Sequence, residues 1–186
     1  MSLIARLSMF IRLSFVLILP LDAQEREGVM GDLIRDVTRV EAKIVGLAKA
    51  TPASAYEWKP AKEARSTGEV VIHVAADNYF MPVLMGVAAP AETGIDAKGR
   101  HKTVEAFEKR TMTRDQIIAE LEKSFEFLER TMSEMPDTKL EEQPKFESRK
   151  ITTRGLWIAT ASHLHEHLGQ LIAYARSNNV TPPWSK

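Results

Sequence analysis

Three histidines carry the chemistry that this sequence can do. His163 and His167 stand four residues apart in the segment Ala161-Ser162-His163-Leu164-His165-Glu166-His167-Leu168-Gly169-Gln170-Leu171. On a helix that spacing sets two side chains about 40° apart around the axis and one turn apart along it, so both imidazoles can reach one ion. Their flank is apolar, and an unpaired imidazole in such a place is costly without a hydrogen-bond partner or a metal. Two histidines that only hydrogen-bond inside a bundle would leave the same trace in the sequence. His73 shifts the balance, because it sits mid-face among Val70, Val71, Val74 and Ala76 on a second apolar segment. Three imidazoles on two segments form a three-histidine ligand set, which leaves a position open for water or substrate, as catalytic sites do. One divalent ion is the expected cofactor, with zinc or nickel as its identity; iron and copper suit the same ligands.

The remaining ionisable residues sort around that set. Glu166 projects between His163 and His167, and Asp77 lies one turn beyond His73; these two are the candidate catalytic acid–base groups. Both also read as ordinary helix carboxylates facing solvent. Glu69, one turn before His73, is a further candidate support. His165 is about 200° round from His163 and faces away from the site. His101 falls in a Gly-rich stretch and reads as an exposed loop residue. The chain has no cysteine, which removes disulfides, thiolate nucleophiles and Cys-ligated metal and leaves His, Asp and Glu as the strong ligands. Lys plus Arg and Asp plus Glu both number 25 in 186 residues, so no net field draws the chain to nucleic acid.

The elements that must position these residues read as four helices. Apolar residues recur at three- and four-residue spacing from Gly31 to about Lys49, and Thr51-Pro52 ends that helix. A second helix starts near Ser66, where Glu69 completes a capping box, passes His73 and continues through Met81-Pro82 with a kink to Leu84. Residues 86–112 show no sustained period and read as a long crossover, which lets the helices on either side run parallel. The third helix starts at Thr113 and carries Ile117, Ile118, Leu121, Phe125, Leu128 and Met132 inward until Pro136. The fourth runs from about Thr153 to Arg176, and Asn178-Asn179 supplies a left-handed cap. No segment has a strand's period of two, so the expected class is all-α, a four-helix bundle with one long connection.

These pieces together resemble a known family. Trp58-Lys59-Pro60, Arg65-Ser66-Thr67-Gly68-Glu69-Val70, His73, the His163-to-Leu171 segment and Pro182-Pro183-Trp184-Ser185 follow the order and spacing of the DinB-like metal-binding four-helix bundles, over about residues 30–186. The resemblance implies an up-down-down-up bundle, metal ligation by His73, His163 and His167, and a homodimer. It also implies a metal-dependent transferase of the thiol S-transferase kind, since the characterised enzymes of the family include thiol transferases and a thiol-dependent isomerase. Gly169 is expected to admit a close helix approach beside the site, and Gln170 to hydrogen-bond nearby.

Residues 1–23 read as a secretory signal peptide: Arg6 and Arg12 precede the apolar run Leu13 to Leu19, Pro20 breaks it, and Ala23 precedes charge. The run is shorter than the roughly 20 residues of a membrane span, so no stable membrane insertion is expected after cleavage. Residues 24–186 are then an exported domain, periplasmic or secreted. Small thiols are scarce outside the cytoplasm, which argues against thiol transfer and makes metal-assisted hydrolysis of a small molecule the competing enzymatic reading. The alternative is a non-catalytic exported metal-binding or stress-response protein whose ion only joins two helices.

Overall fold

A computed structural model describes residues 26–144 and 150–185. The signal-peptide segment 1–23 lies outside the described residues. Five α-helices appear: α1 Gly28–Ala50, α2 Thr67–Leu84, α3 His101–Glu108, α4 Arg114–Glu134 and α5 Thr153–Ser177. Short 3-10 turns at Ala53–Ala55, Ala91–Thr93 and Asp137–Lys139 shape the connections. Among the described residues every regular element is helical, and none is long and apolar enough to cross a membrane.

Local chemistry sets the helix starts. Ser66 Oγ accepts from the Glu69 amide at 3.2 Å while Glu69 Oε2 accepts from the Ser66 amide at 2.6 Å, the reciprocal bonds of a capping box. Thr113 and Gln116 repeat the arrangement at α4, with bonds of 2.8 and 3.3 Å. Thr152 caps α5, accepting from the Gly155 amide at 3.1 Å. At its other end Asn179 takes a φ of 58°, the left-handed turn expected of the Asn178-Asn179 pair. The first helix starts three residues before Gly31, because Arg26 anchors its approach on the Met132 carbonyl and on Asp137.

α2 is the central element, with Val70, Val71, Val74, Ala75 and Ala76 all fully buried. A helix apolar nearly all round must lie inside, and here α1, α4 and α5 surround the core it shares. Each fully buried Leu or Val contributes roughly 1.5–3 kcal/mol, so this interior is the main source of stability. The buried Asn78 donates to Ser124 Oγ at 3.0 Å, which fixes the register of α2 against α4.

Cross-contacts give the helix directions. Gly68 lies near Ile117 and Asn78 meets Ser124, so α2 and α4 run parallel. Arg114 at the start of α4 bonds the Lys49 carbonyl at the end of α1, whereas Arg26 before α1 bonds Met132 near the end of α4, so those two are antiparallel. His165 meets Asp36, and Pro183 reaches Gly46, so α1 and α5 run together. The result is the up-down-down-up four-helix bundle, with α3 as an addition inside the crossover.

α3 corrects the reading of residues 86–112 as a crossover without a period. Its eight residues bury Val104 and Phe107, and Phe107 packs on Tyr79 with ring centroids 5.8 Å apart. A single pair at three-residue spacing is too short a repeat to register as periodicity, and only the α2 surface makes the helix worthwhile.

Candidate metal centre

α2 and α5 run antiparallel at the site, which sets His73 across from the His163–His167 turn. The three rings stand nearly perpendicular to one another, with centroids 4.4 to 5.2 Å apart. Their Nε2 atoms converge: His163 Nε2 is 2.9 Å from His167 Nε2 and 3.3 Å from His73 Nε2. A tetrahedral ion with Zn–N near 2.0–2.1 Å separates its nitrogens by roughly 3.3 Å, so the constellation fits such an ion with little movement. One ligand atom from each ring lies within 4.8 Å of the others. The three-histidine group can therefore hold a metal ion.

Tautomers follow from the groups behind the rings. His73 Nδ1 faces Glu108 Oε1 at 2.5 Å, and an ionised carboxylate only accepts, so Nδ1 carries the proton and Nε2 the lone pair. For His167 the assignment propagates through three residues. The Arg65 carbonyl can only accept, so the Tyr174 hydroxyl donates to it at 3.2 Å. Tyr174 oxygen then accepts from Gln170 Nε2 at 2.9 Å, which turns Gln170 Oε1 toward His167 Nδ1, also at 2.9 Å. His167 Nδ1 must donate, and its Nε2 lone pair also points inward. Converging lone pairs repel unless a proton or a cation lies between them.

Protonation is the weaker remedy. Burial, reinforced by the charges of His167 and His73, lowers His163 from 6.5 to about 3, and burial likewise lowers His167. Burial alone would raise Glu108, but its hydrogen bond from His73 and the nearby Arg65 hold its carboxyl below the ordinary range. Burial raises Asp77. Two rings whose charged forms are disfavoured, beside a third whose lone pair points inward, form a group that could hold a metal.

Asp77 stands at the rim of the cluster, its Oδ2 3.1 Å from His163 Nε2 and 3.6 Å from His73 Nε2. Glu166 is exposed and hydrogen-bonds neither histidine; only its charge is felt at His167. Glu69 is spent on the capping box and on an ion pair with Lys59 at 2.7 Å, so it does not support His73. His165 turns away, as expected, to Asp36 at 2.8 Å. His101 is the first residue of α3 rather than a loop residue, with its ring 5.2 Å from that of Phe80. A Cβ added at Gly169 would meet nothing within 4 Å, so the close helix approach expected there does not occur. Gln170 does bond beside the site.

Sequence reasoning missed Glu108 and the backbone of Arg65. Glu108 lies 35 residues from its partner His73, in the stretch read as featureless. The available signal was chemical: a ligating histidine nearly always donates its other N–H to an acceptor, so one had to exist.

A cavity of about 490 Å³ opens beside His73 and Asp77, between α2, α3 and the start of α5. Its size suits a small molecule.

The sequence matches the DinB superfamily profile over residues 36–171. Similar solved structures include a DinB-like protein from Bacillus subtilis (YjoA), 19% identical with a TM-score of 0.62, covering 81% of this chain and 93% of that one. A DinB-like protein from Bacillus cereus is 14% identical with a TM-score of 0.68, covering 85% of this chain and 97% of that one. No curated protein matches the chain.

Proposed function

This chain belongs to the DinB superfamily, and on that footing we propose that it binds one divalent ion through Nε2 of His73, His163 and His167 and acts on a small molecule as a transferase or hydrolase. The observation that carries the reading is the pair of outward tethers, Glu108 on His73 and Gln170 on His167, which hold two lone pairs toward one point. Three neutral imidazoles favour zinc or nickel. The ion would supply Lewis acidity, lowering the pKa of a coordinated water or thiol. Asp77 is the proton acceptor in this reading: it lies within 3.1 Å of the cluster, and burial raises its carboxyl, which makes it the stronger base. Glu166 contributes only its field. Export, read from residues 1–23, favours hydrolysis over thiol transfer.

One observation favours a second reading. Asp77 Oδ2 is near enough to two Nε2 atoms to fill a fourth coordination position, which would make the ion a helix-joining element in a non-catalytic protein. Elemental analysis of protein purified without a polyhistidine tag tests both: one ion per chain is expected, and metal-free protein that cannot be loaded overturns them together. Cobalt-substituted protein then separates them. A visible spectrum that shifts on adding azide marks an open position, and an unchanged one marks the closed, structural site.

A further inference from the structure

The cavity beside the cluster is chemically two-ended. Arg65, Asp77 and Glu108 crowd the end at His73, and Arg65 lies 3.7 Å from Glu108. Away from the histidines the lining becomes Phe80, Met81 and Leu84 of α2, Val104 of α3, and Ile151 and Leu156 at the start of α5. The order follows from helix geometry. His73, Asp77, Phe80, Met81 and Leu84 share one face of α2, and the stretch from residue 73 to residue 84 spans about 16 Å. α3 runs alongside in the opposite sense, with Glu108 on His73 and His101 on Phe80. Leu156 stands two turns before His163 on α5, level with the apolar half. Two ionisable residues also line that half, His101 with its ring against Phe80 and Glu105 paired with Lys109 at 3.7 Å, both on the exposed side of α3.

Charge distinguishes the two ends as well. With a divalent ion on neutral imidazoles, the ion and Arg65 outweigh Asp77 and Glu108 by one positive charge. A singly charged anionic head would balance it, while Phe80, Met81, Leu84, Val104 and Leu156 favour an apolar remainder.

We infer that the ligand of this site is an elongated small amphiphile: its monoanionic, metal-ligating head reaches the ion from the side of His73, Asp77 and Arg65, and its alkyl or aryl tail lies between Phe80, Met81, Leu84, Val104 and Leu156. The inference rests on the metal reading above and names the substrate class for it. It also assigns α3 a purpose, since this helix inside the crossover provides the third wall of the tail site.

The test is a homologous series of acetohydroxamate, butyrohydroxamate, hexanohydroxamate and octanohydroxamate, titrated calorimetrically into the metal-loaded full chain. Affinity should climb with chain length, by up to about fourfold per added methylene, the factor that burial of one CH₂ supplies. Met81→Gln and Leu84→Gln change half-buried side chains, so the fold should tolerate them. Each should shrink the ratio of octanoyl to acetyl affinity by about tenfold. Equal affinity along the series, or an unaltered ratio in both variants, overturns the tail site while leaving the metal reading intact. Failure of every member to bind a protein that holds its ion overturns the open-site reading and the tail site with it.

Discussion

Two seams of this bundle gather ionisable groups of one kind, and they resolve the crowding in opposite ways. Between α2 and α5, three imidazoles face one another, the acceptors behind His73 and His167 pull a proton outward, and burial disfavours the charged forms of His163 and His167. Between α1 and α4, Glu41 meets Glu129, Glu126 and Glu122, and burial together with those charges raises Glu41 from 4.5 to about 7. The glutamates ease their repulsion by retaining a proton, and neighbours help: Thr38 donates to Glu129 at 2.6 Å, and Lys49 reaches Glu122 at 2.5 Å. On their inner side the imidazoles meet one carboxyl, Asp77, at the rim, and, among the described residues, no Lys, Thr or Arg donor of the kind that serves the glutamates. Crowded acids with local donors settle among themselves, whereas crowded lone pairs with their donors turned away call for a cation.

The contrast breaks most completely if an imidazole is removed. His163→Ala or His167→Ala should abolish stoichiometric metal binding, measured by elemental analysis, and one tightly held ion in either variant would reject the assignment. Glu41→Gln, at the other seam, should leave metal content unchanged. Next in size, Glu108→Gln or Gln170→Leu should weaken affinity by roughly 10- to 100-fold in a chelator competition, because each frees a ring to turn or change tautomer. An unchanged constant in both would show that the outward tethers do not matter.

Acid should then push the two seams apart. In metal-free protein, His163 binds a proton far less readily when folded, at about 3, than its ordinary 6.5, so the unfolded chain takes up more protons in that window. Stability from the histidine seam is therefore present above about 6.5 and is lost as pH falls toward 3. Glu41 has the opposite sign: its folded value of about 7 exceeds 4.5, so its stabilisation is full below 4.5 and disappears as pH rises through 7. Glu41→Gln should flatten the decline between pH 4.5 and 7, by on the order of 1 kcal/mol once solvent screening at this half-exposed site is allowed for. Urea midpoints at a series of pH values measure both limbs, and matching slopes in wild type and variant would remove the glutamate seam from the account. The smallest effect concerns Gly169, which is exposed on α5 with open space around it. Gly169→Ala should raise stability by roughly 0.5–1 kcal/mol without altering metal content.

How much of this was legible in the sequence depended on how local the cause was. Ser66 with Glu69, and Thr113 with Gln116, announce helix starts because their bonds span three residues. His163 and His167 announce a shared point for the same reason, and His73 joined them through its place mid-face on a second apolar helix, with the family resemblance in support. α3 is invisible by periodicity because its two buried residues acquire meaning only against Tyr79 of α2. Glu108 was hidden behind it. Asp77 and Glu166 looked equivalent as helix carboxylates near a histidine, and only the packing angle of α2 against α5 separates the buried one from the exposed one. Gly169 shows the reverse error: a glycine next to a site invites a steric reading, yet its surroundings are open.

Arg65 holds both histidine-bearing helices by different parts of itself. Its guanidinium draws on Glu108 and through it on the ring of His73, while its carbonyl steers Tyr174, Gln170 and finally the ring of His167. One amino acid thus aims two imidazoles over two routes, and alanine scanning would detect only the first, because every residue type brings a carbonyl. The second route depends on where the chain at position 65 runs and not on which residue occupies it. An inserted residue between Trp58 and Ser66 would therefore disturb the aim of His167 on α5, more than a hundred positions downstream, as no side-chain replacement at position 65 can.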